Sequence, residues 1–225
     1  MYNSVINVAI DGPGGAGKST SARAAAKELG YIYVDTGALY RAVGVNALRK
    51  NIDTRDKAAV AASLEGISVD LVFENGEQKV LLNGENVSVE IRTPPASMAA
   101  SDVSAVPEVR AFLFDLQRDI ASRNNCIMDG RDIGTVVLPD AQVKIFLTAS
   151  AEERAQRRYA ELQAKGSTVS FQSVLDELIE RDYNDSHREI APLKPAEDSV
   201  YLDTTGVSLE EQVKKIINII KEKVQ

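Results

Sequence analysis

The feature that most restricts this chain is the stretch DGPGGAGKST, Asp11 to Thr20, which follows the apolar run Val5 to Ile10 and precedes a helical pattern. A run that is apolar at nearly every position suits a parallel strand covered on both faces. Ala22, Ala25, Ala26 and Leu29 then recur at helical spacing, with Gly30 as a natural stop. The glycines therefore join a buried strand to the start of a helix, and Gly12 to Ser19 fits G-x-x-x-x-G-K-[ST] in the setting that gives the pattern its meaning. In such a loop the N–H groups of Gly14 to Lys18 wrap an anion and the helix end adds positive potential. Lys18 reaches the β and γ oxygens of a nucleoside triphosphate, and Ser19 can ligate Mg²⁺. A bare glycine turn would not require Lys18 and Ser19 after its last glycine. ATP is expected along Gly12, Pro13, Gly14, Gly15, Ala16, Gly17, Lys18, Ser19 and Thr20.

The remaining pattern alternates strands with helices. Tyr31 to Val34 reads as a second strand, with Asp35 and Thr36 able to cap a helix over about 38–49. Ile67, Val69, Leu71 and Phe73 alternate with polar residues, and Asn75-Gly76 and Asn83-Gly84 mark turns, which predicts a small antiparallel meander inserted into an α/β chain. Pro94-Pro95 closes it. Helices are expected over about 96–104 and 107–122, then a strand Cys126 to Met128 ending in Asp129-Gly130-Arg131-Asp132, and another over Val143 to Leu147. Two helices follow, 151–164 and one running to about Glu189, separated by Lys165-Gly166-Ser167. A short strand Val200 to Leu202 and an amphipathic helix end the chain. The fold class is α/β, a parallel sheet flanked by helices.

Composition narrows the chemistry. A net charge of −7 over 225 residues argues against nucleic acid or an anionic membrane as partner. Cys126 is the only cysteine and His187 the only histidine, so there is no disulfide framework, zinc cluster or Ser-His-Asp triad to build. Cys126 reads as a buried strand residue and His187 as a bystander. No apolar run approaches the ~20 residues of a membrane helix, and a reducing cytoplasm is expected.

No Asn-Lys-x-Asp stretch for guanine recognition is present, which leaves an ATPase, a kinase or an ATP-sensing module. Arginine placement separates them, because an acceptor that carries its own phosphate needs several planar, permanently charged forks. Arg41 and Arg131 lie just past strand carboxyl ends, where open α/β sheets bind ligands. In RDYNDSHR the spacing puts Arg181, Asp185 and Arg188 on one face of a helix. Arg154, Arg157 and Arg158 are one turn apart. Each set could also be a solvated surface face. Asp129 ends an apolar strand, as an acid that holds Mg²⁺ through water does, or as a turn former does.

In order and spacing, DGPGGAGKST, DTGALYRA, the insert ending in IRTP, SDVSAVPEVR, MDGRDIGTVV and RDYNDSHREIAPLKPAEDS resemble bacterial cytidylate kinases nearly end to end. The resemblance implies an adenylate-kinase-like unit that converts ATP and CMP or dCMP to ADP and CDP or dCDP with Mg²⁺, acting as a monomer in the cytoplasm. It implies a core over about 1–35, 95–152 and 190–225, a monophosphate-binding region with a β insert over about 36–94, and a helical lid over about 153–189. It implies that Arg41, Arg131 and Arg188 clamp the acceptor phosphate, that Ser101, Arg110 and Asp132 read cytosine, and that Arg181 and Asp185 contact ribose. Thr36 stands among the CMP contacts where many members carry serine. Lys18, Arg131, Asp132, Arg154 and Arg158 form the implied catalytic set, with Arg154 and Arg158 as lid arginines.

Overall fold

The computed structural model describes residues 5–74, 77–164 and 166–224. The Asn75-Gly76 turn and Lys165 fall outside the described residues. In chain order the elements begin with β1 (Asn7–Asp11), α1 (Lys18–Leu29), β2 (Ile32–Asp35), α2 (Thr36–Arg49) and a short α3 (Lys57–Ala62). The strands β3 (Val69–Glu74), β4 (Glu77–Leu82) and β5 (Glu85–Asn86) precede α4 (Pro94–Val103) and α5 (Pro107–Arg123). β6 (Cys126–Gly130), β7 (Val143–Thr148), α6 (Ala151–Ala164), α7 (Phe171–His187), β8 (Val200–Asp203) and α8 (Leu209–Val224) complete the chain.

The chain divides into two compact units. One comprises residues 6–31 and 126–225. Its strands run in the order β6, β1, β7, β8, all parallel, with Asp11 opposite Gly130 on one side and Phe146 on the other. β1 and β6 are buried along nearly their whole length, as their unbroken apolar runs require. From α8, Ile216 and Ile220 are wholly buried because the apolar residues of this helix recur on one stripe. Helices α6 and α7 form a hairpin with its own small core of Ala155, Val174 and Leu178, edged by Tyr159 and Phe171, whose rings meet edge to face at 6.0 Å.

The other unit comprises residues 32–125 together with Val5. Its core is built from α2, α4, α5 and the antiparallel sheet β3-β4-β5, with Leu39, Val43, Val80, Val103, Val109 and Leu113 buried. Asp35 caps α2 by accepting from the Ala38 N–H at 2.9 Å, and Pro94 and Pro107 open α4 and α5 at positions where a missing N–H costs nothing. α2 and α4 approach so closely that a Cβ on Gly44 would sit 2.8 Å from the Ala99 Cβ. The helix α3 was not legible in the sequence. It is only six residues long, capped by Asp56, and only Val60 is buried.

Candidate active site

The loop from Gly12 to Gly17 lies between the end of β1 and the start of α1. Lys18 is buried, 5% exposed, and its Nζ donates to the Pro13 carbonyl at 2.7 Å. Burial pushes its ammonium down to about 7, the positive charges of Arg131 and Arg181 push the same way, and Asp129 and Asp11 only partly offset them. The Ser19 Oγ donates to Asp129 Oδ2 at 2.8 Å. The structure therefore brings together the hydroxyl and the strand-end acid that the sequence singled out from opposite ends of the first 130 residues.

The cationic groups of this unit converge on the loop. A Cβ placed on Gly14 would meet the Arg131 Nη2 at 3.5 Å and the Arg181 Nη1 at 3.9 Å. Arg154 is buried and donates from each of its three nitrogens: Nη1 to the Gly14 carbonyl at 2.9 Å, Nε to the Ala149 carbonyl at 2.9 Å and Nη2 to Asp182 at 2.6 Å. Arg157 reaches the Ala16 carbonyl at 3.4 Å, Glu153 at 3.0 Å and the Thr204 carbonyl at 3.1 Å. With the loop residues and with Leu209 and Gln212 it lines an open cavity of about 450 Å³. Arg158 does not line that cavity. Its side chain is 38% exposed and pairs with Glu161. Of the arginines expected at the lid, the structure thus seats Arg154 on the loop and leaves Arg158 at the surface, because only residues on the stripe of α6 that faces the loop can reach it.

Arg131 donates from Nε to Asp185 Oδ2 at 2.7 Å. Burial alone would raise the Asp185 carboxyl, but the guanidinium groups of Arg131, Arg181 and Arg188 outweigh it and hold the carboxyl below its usual range. Asp185 is therefore no solvated surface acid. Arg188 Nη2 donates to Asp132 Oδ1 at 3.2 Å and its Nε to the Ala191 carbonyl at 2.7 Å. The expectation that Arg181, Asp185 and Arg188 share one helical face needs correction at its last member. α7 ends at His187 and Arg188 is extended (φ −63°, ψ 143°), with the chain turning back so that the Leu193 N–H donates to the Asp185 carbonyl at 2.8 Å. The Arg188 guanidinium reaches Asp132 from that turn.

In the unit that carries α2, α4 and α5, Thr36 is buried at the first turn of α2, and Arg41 Nη2 pairs with Asp35 Oδ2 at 2.8 Å. Arg110 is buried with its guanidinium carbon 5.8 Å from the centroid of the Tyr40 ring, and its Nη1 donates to the Ser104 carbonyl at 3.4 Å. Ser101 is half-buried on α4. No spacing or motif marked Gln212, whose Nε2 donates to Ser21 Oγ at 2.9 Å, or Asp182. Arg157 was marked by its spacing from Arg154.

A parallel sheet whose first strand runs into a glycine loop, with a buried lysine, a Ser–Asp pair and several guanidinium groups gathered on it, defines a P-loop phosphotransferase. The chain belongs to the cytidylate kinase family, whose profile matches residues 8–222. It is 50% identical to the cytidylate kinase of Caldicellulosiruptor saccharolyticus over 95% of either chain, and 51% identical to that of Carboxydothermus hydrogenoformans over 97% of this chain and 98% of the relative. The Pasteurella multocida cytidylate kinase is 47% identical over 99% and 97%. Among solved structures, an uncharacterised protein of Eubacterium ventriosum aligns over 96% of this chain and 98% of its own with a TM-score of 0.54. At 15% identity that likeness is one of fold. Family membership makes the chain an ATP-dependent nucleoside monophosphate kinase.

Proposed function

We propose that the chain transfers the γ-phosphoryl group of ATP to CMP or dCMP, giving ADP and CDP or dCDP. The observation that carries this reading is the gathering of Lys18, Arg131, Arg154 and Arg181 on the loop, with the Lys18 ammonium disfavoured by burial and by its cationic neighbours. Arg131 and Arg154 have carboxylate partners in Asp185 and Asp182, but the Lys18 ammonium is bonded to the Pro13 carbonyl, and a phosphate on the loop supplies the counter-charge it lacks there. Phosphoryl transfer passes through a loose transition state, for which positioning and charge neutralisation matter more than a covalent partner or a histidine base. Lys18 and the loop N–H groups hold the donor phosphates. The acceptor-phosphate role is proposed for Arg41, Arg131 and Arg188, and the ribose contacts for Arg181 and Asp185. A kinase for an acceptor without a phosphate has no use for so many guanidinium groups.

Ser19 Oγ and Asp129 Oδ2 are hard oxygen donors in contact, which suits Mg²⁺. Among the described residues there is no cluster of three or more acidic, His or Cys ligands, so phosphate oxygens and water would complete the shell. A Mg²⁺ held by these two residues would supply positive charge to the donor phosphates. No helix among the described residues is long and apolar enough to cross a membrane.

Cytosine offers an amine donor at N4 and an acceptor at N3, whereas uracil presents the reverse, so the base-reading role is proposed for an acid and a hydroxyl, Asp132 and Ser101, together with a donor, Arg110. Asp132→Ala should cost CMP far more catalytic efficiency than UMP and narrow the ratio of their kcat/KM values roughly tenfold or more, whereas Arg41→Ala should lower both alike. Equal losses with the two bases in Asp132→Ala would reassign Asp132 to phosphate or metal positioning.

The lid role is proposed for α6, α7 and the turn that carries Arg188. Hydrogen exchange over about 153–188 should slow strongly with a bisubstrate analogue and little with ATP alone. Equal protection by ATP would remove the acceptor from the closing step.

A further inference from the structure

Asp11 is the last residue of β1, directly before the phosphate loop, and the mechanism above leaves its carboxylate unused. It is 4% exposed. Its Oδ1 accepts from the Ile133 N–H at 2.8 Å and its Oδ2 from the Gly134 N–H at 2.7 Å. Those are the first two amides of a single wide turn of π-helix, Ile133–Val137, which immediately follows Arg131 and Asp132. The backbone bonds of the turn close it on itself: Val136 and Val137 donate to the Asp132 carbonyl at 2.9 and 3.2 Å, and Leu138 donates to the Ile133 carbonyl at 2.6 Å. Asp11 adds two bonds that lead out of the turn to the base of the phosphate loop. The position is an expensive one for an acid. Burial pushes its carboxyl up to about 6, the backbone N–H groups of Gly134 and Ile133 pull it down, the charge of Asp132 pushes up and Lys18 pulls down. A carboxylate supplies a separate oxygen to each of the two consecutive amides.

We propose that Asp11 is a positioning residue that ties the phosphate loop to the turn carrying Arg131 and Asp132, and so sets the acceptor contacts in register with the donor phosphates. The proposal rests on the reading of Arg131 and Asp132 as acceptor contacts. It also identifies how one strand end serves both substrates: β1 delivers the donor loop through its backbone and holds the acceptor turn through its last side chain.

Asp11→Asn keeps the shape but turns an amide NH2 donor toward one of the two N–H groups. The expected result is a rise of roughly tenfold in KM for CMP with KM for ATP within about twofold, a narrowed CMP-to-UMP ratio, and faster amide exchange at Ile133 and Gly134 by NMR. A second variant, Gly134→Ala, crowds the turn while leaving the Asp11 carboxylate itself unaltered. Its Cβ would lie 3.2 Å from the Lys144 Cδ and 3.4 Å from the Asp11 Oδ2, and it should shift KM for CMP in the same direction. This variant decides the matter if Asp11→Asn does not fold. An unchanged KM for CMP, or equal rises for CMP and ATP, would overturn the proposal. Asp132→Ala measured alongside separates the two readings. If that variant leaves the CMP-to-UMP ratio unchanged, base reading by Asp132 fails, and Asp11 is then judged on the KM split and the two amides alone.

Discussion

Lys18→Ala is expected to lower kcat by roughly 10²–10³, the usual cost of deleting one preorganised charge at a developing anion, while the circular dichroism spectrum stays native. The two halves of this expectation have one cause. Burial and the Arg131 charge both disfavour the Lys18 ammonium in the absence of phosphate, and its one bond of note runs to the Pro13 carbonyl at 2.7 Å within its own loop. Removing the ammonium relieves an unfavourable charge in the fold but strips the reacting phosphates of a cation that arrives without reorganisation. Arg154 cannot take over, because its three nitrogens already donate to Ala149, Gly14 and Asp182, and Arg131 is anchored through Nε to Asp185. Turnover within about tenfold of wild type in a natively folded variant, a barrier change of only about 1.4 kcal/mol, would refute the assignment of this loop.

The second large effect concerns stability. At Gly12 the backbone has φ +149°, and a Cβ there would lie 1.9 Å from the Leu147 carbonyl oxygen and 2.9 Å from its carbon. That carbonyl belongs to β7, which is hydrogen-bonded to β1 on one side and β8 on the other, so it cannot step aside without breaking a ladder. Gly12→Ala should therefore cost about 3 kcal/mol or more, from overpacking and backbone strain together, and displace the loop. Gly14→Ala provides the contrast. Its Cβ would meet only the ends of the flexible Arg131, Leu178 and Arg181 side chains at 3.5 Å or more, so the change should be within about 1 kcal/mol. Urea unfolding midpoints of both variants test this pair. If Gly12→Ala unfolds no earlier than Gly14→Ala, the close passage of the loop over Leu147 is wrong.

The parts of this protein that were legible in its sequence are those written in local spacing. The strand-loop-helix of Val5 to Leu29, the alternation that marks β3 and β4, the prolines that open α4 and α5 and the amphipathic stripe of α8 each depend on residues a few positions apart. The family followed from such segments read in order. Tertiary structure decided where each arginine lies. Arg154 and Arg158 look alike on a helical wheel, but α6 packs so that one is buried on Gly14 and the other meets solvent. Arg188 looks like the continuation of a helical face, but the helix stops one residue earlier and a turn near Ala191 carries its guanidinium to Asp132. The pairs Asp11 with Gly134 and Gln212 with Ser21 are 123 and 191 residues apart. No periodicity encodes such contacts. They exist because parallel strands place the ends of distant segments side by side, and a buried polar group must take its partner from whichever segment arrives there.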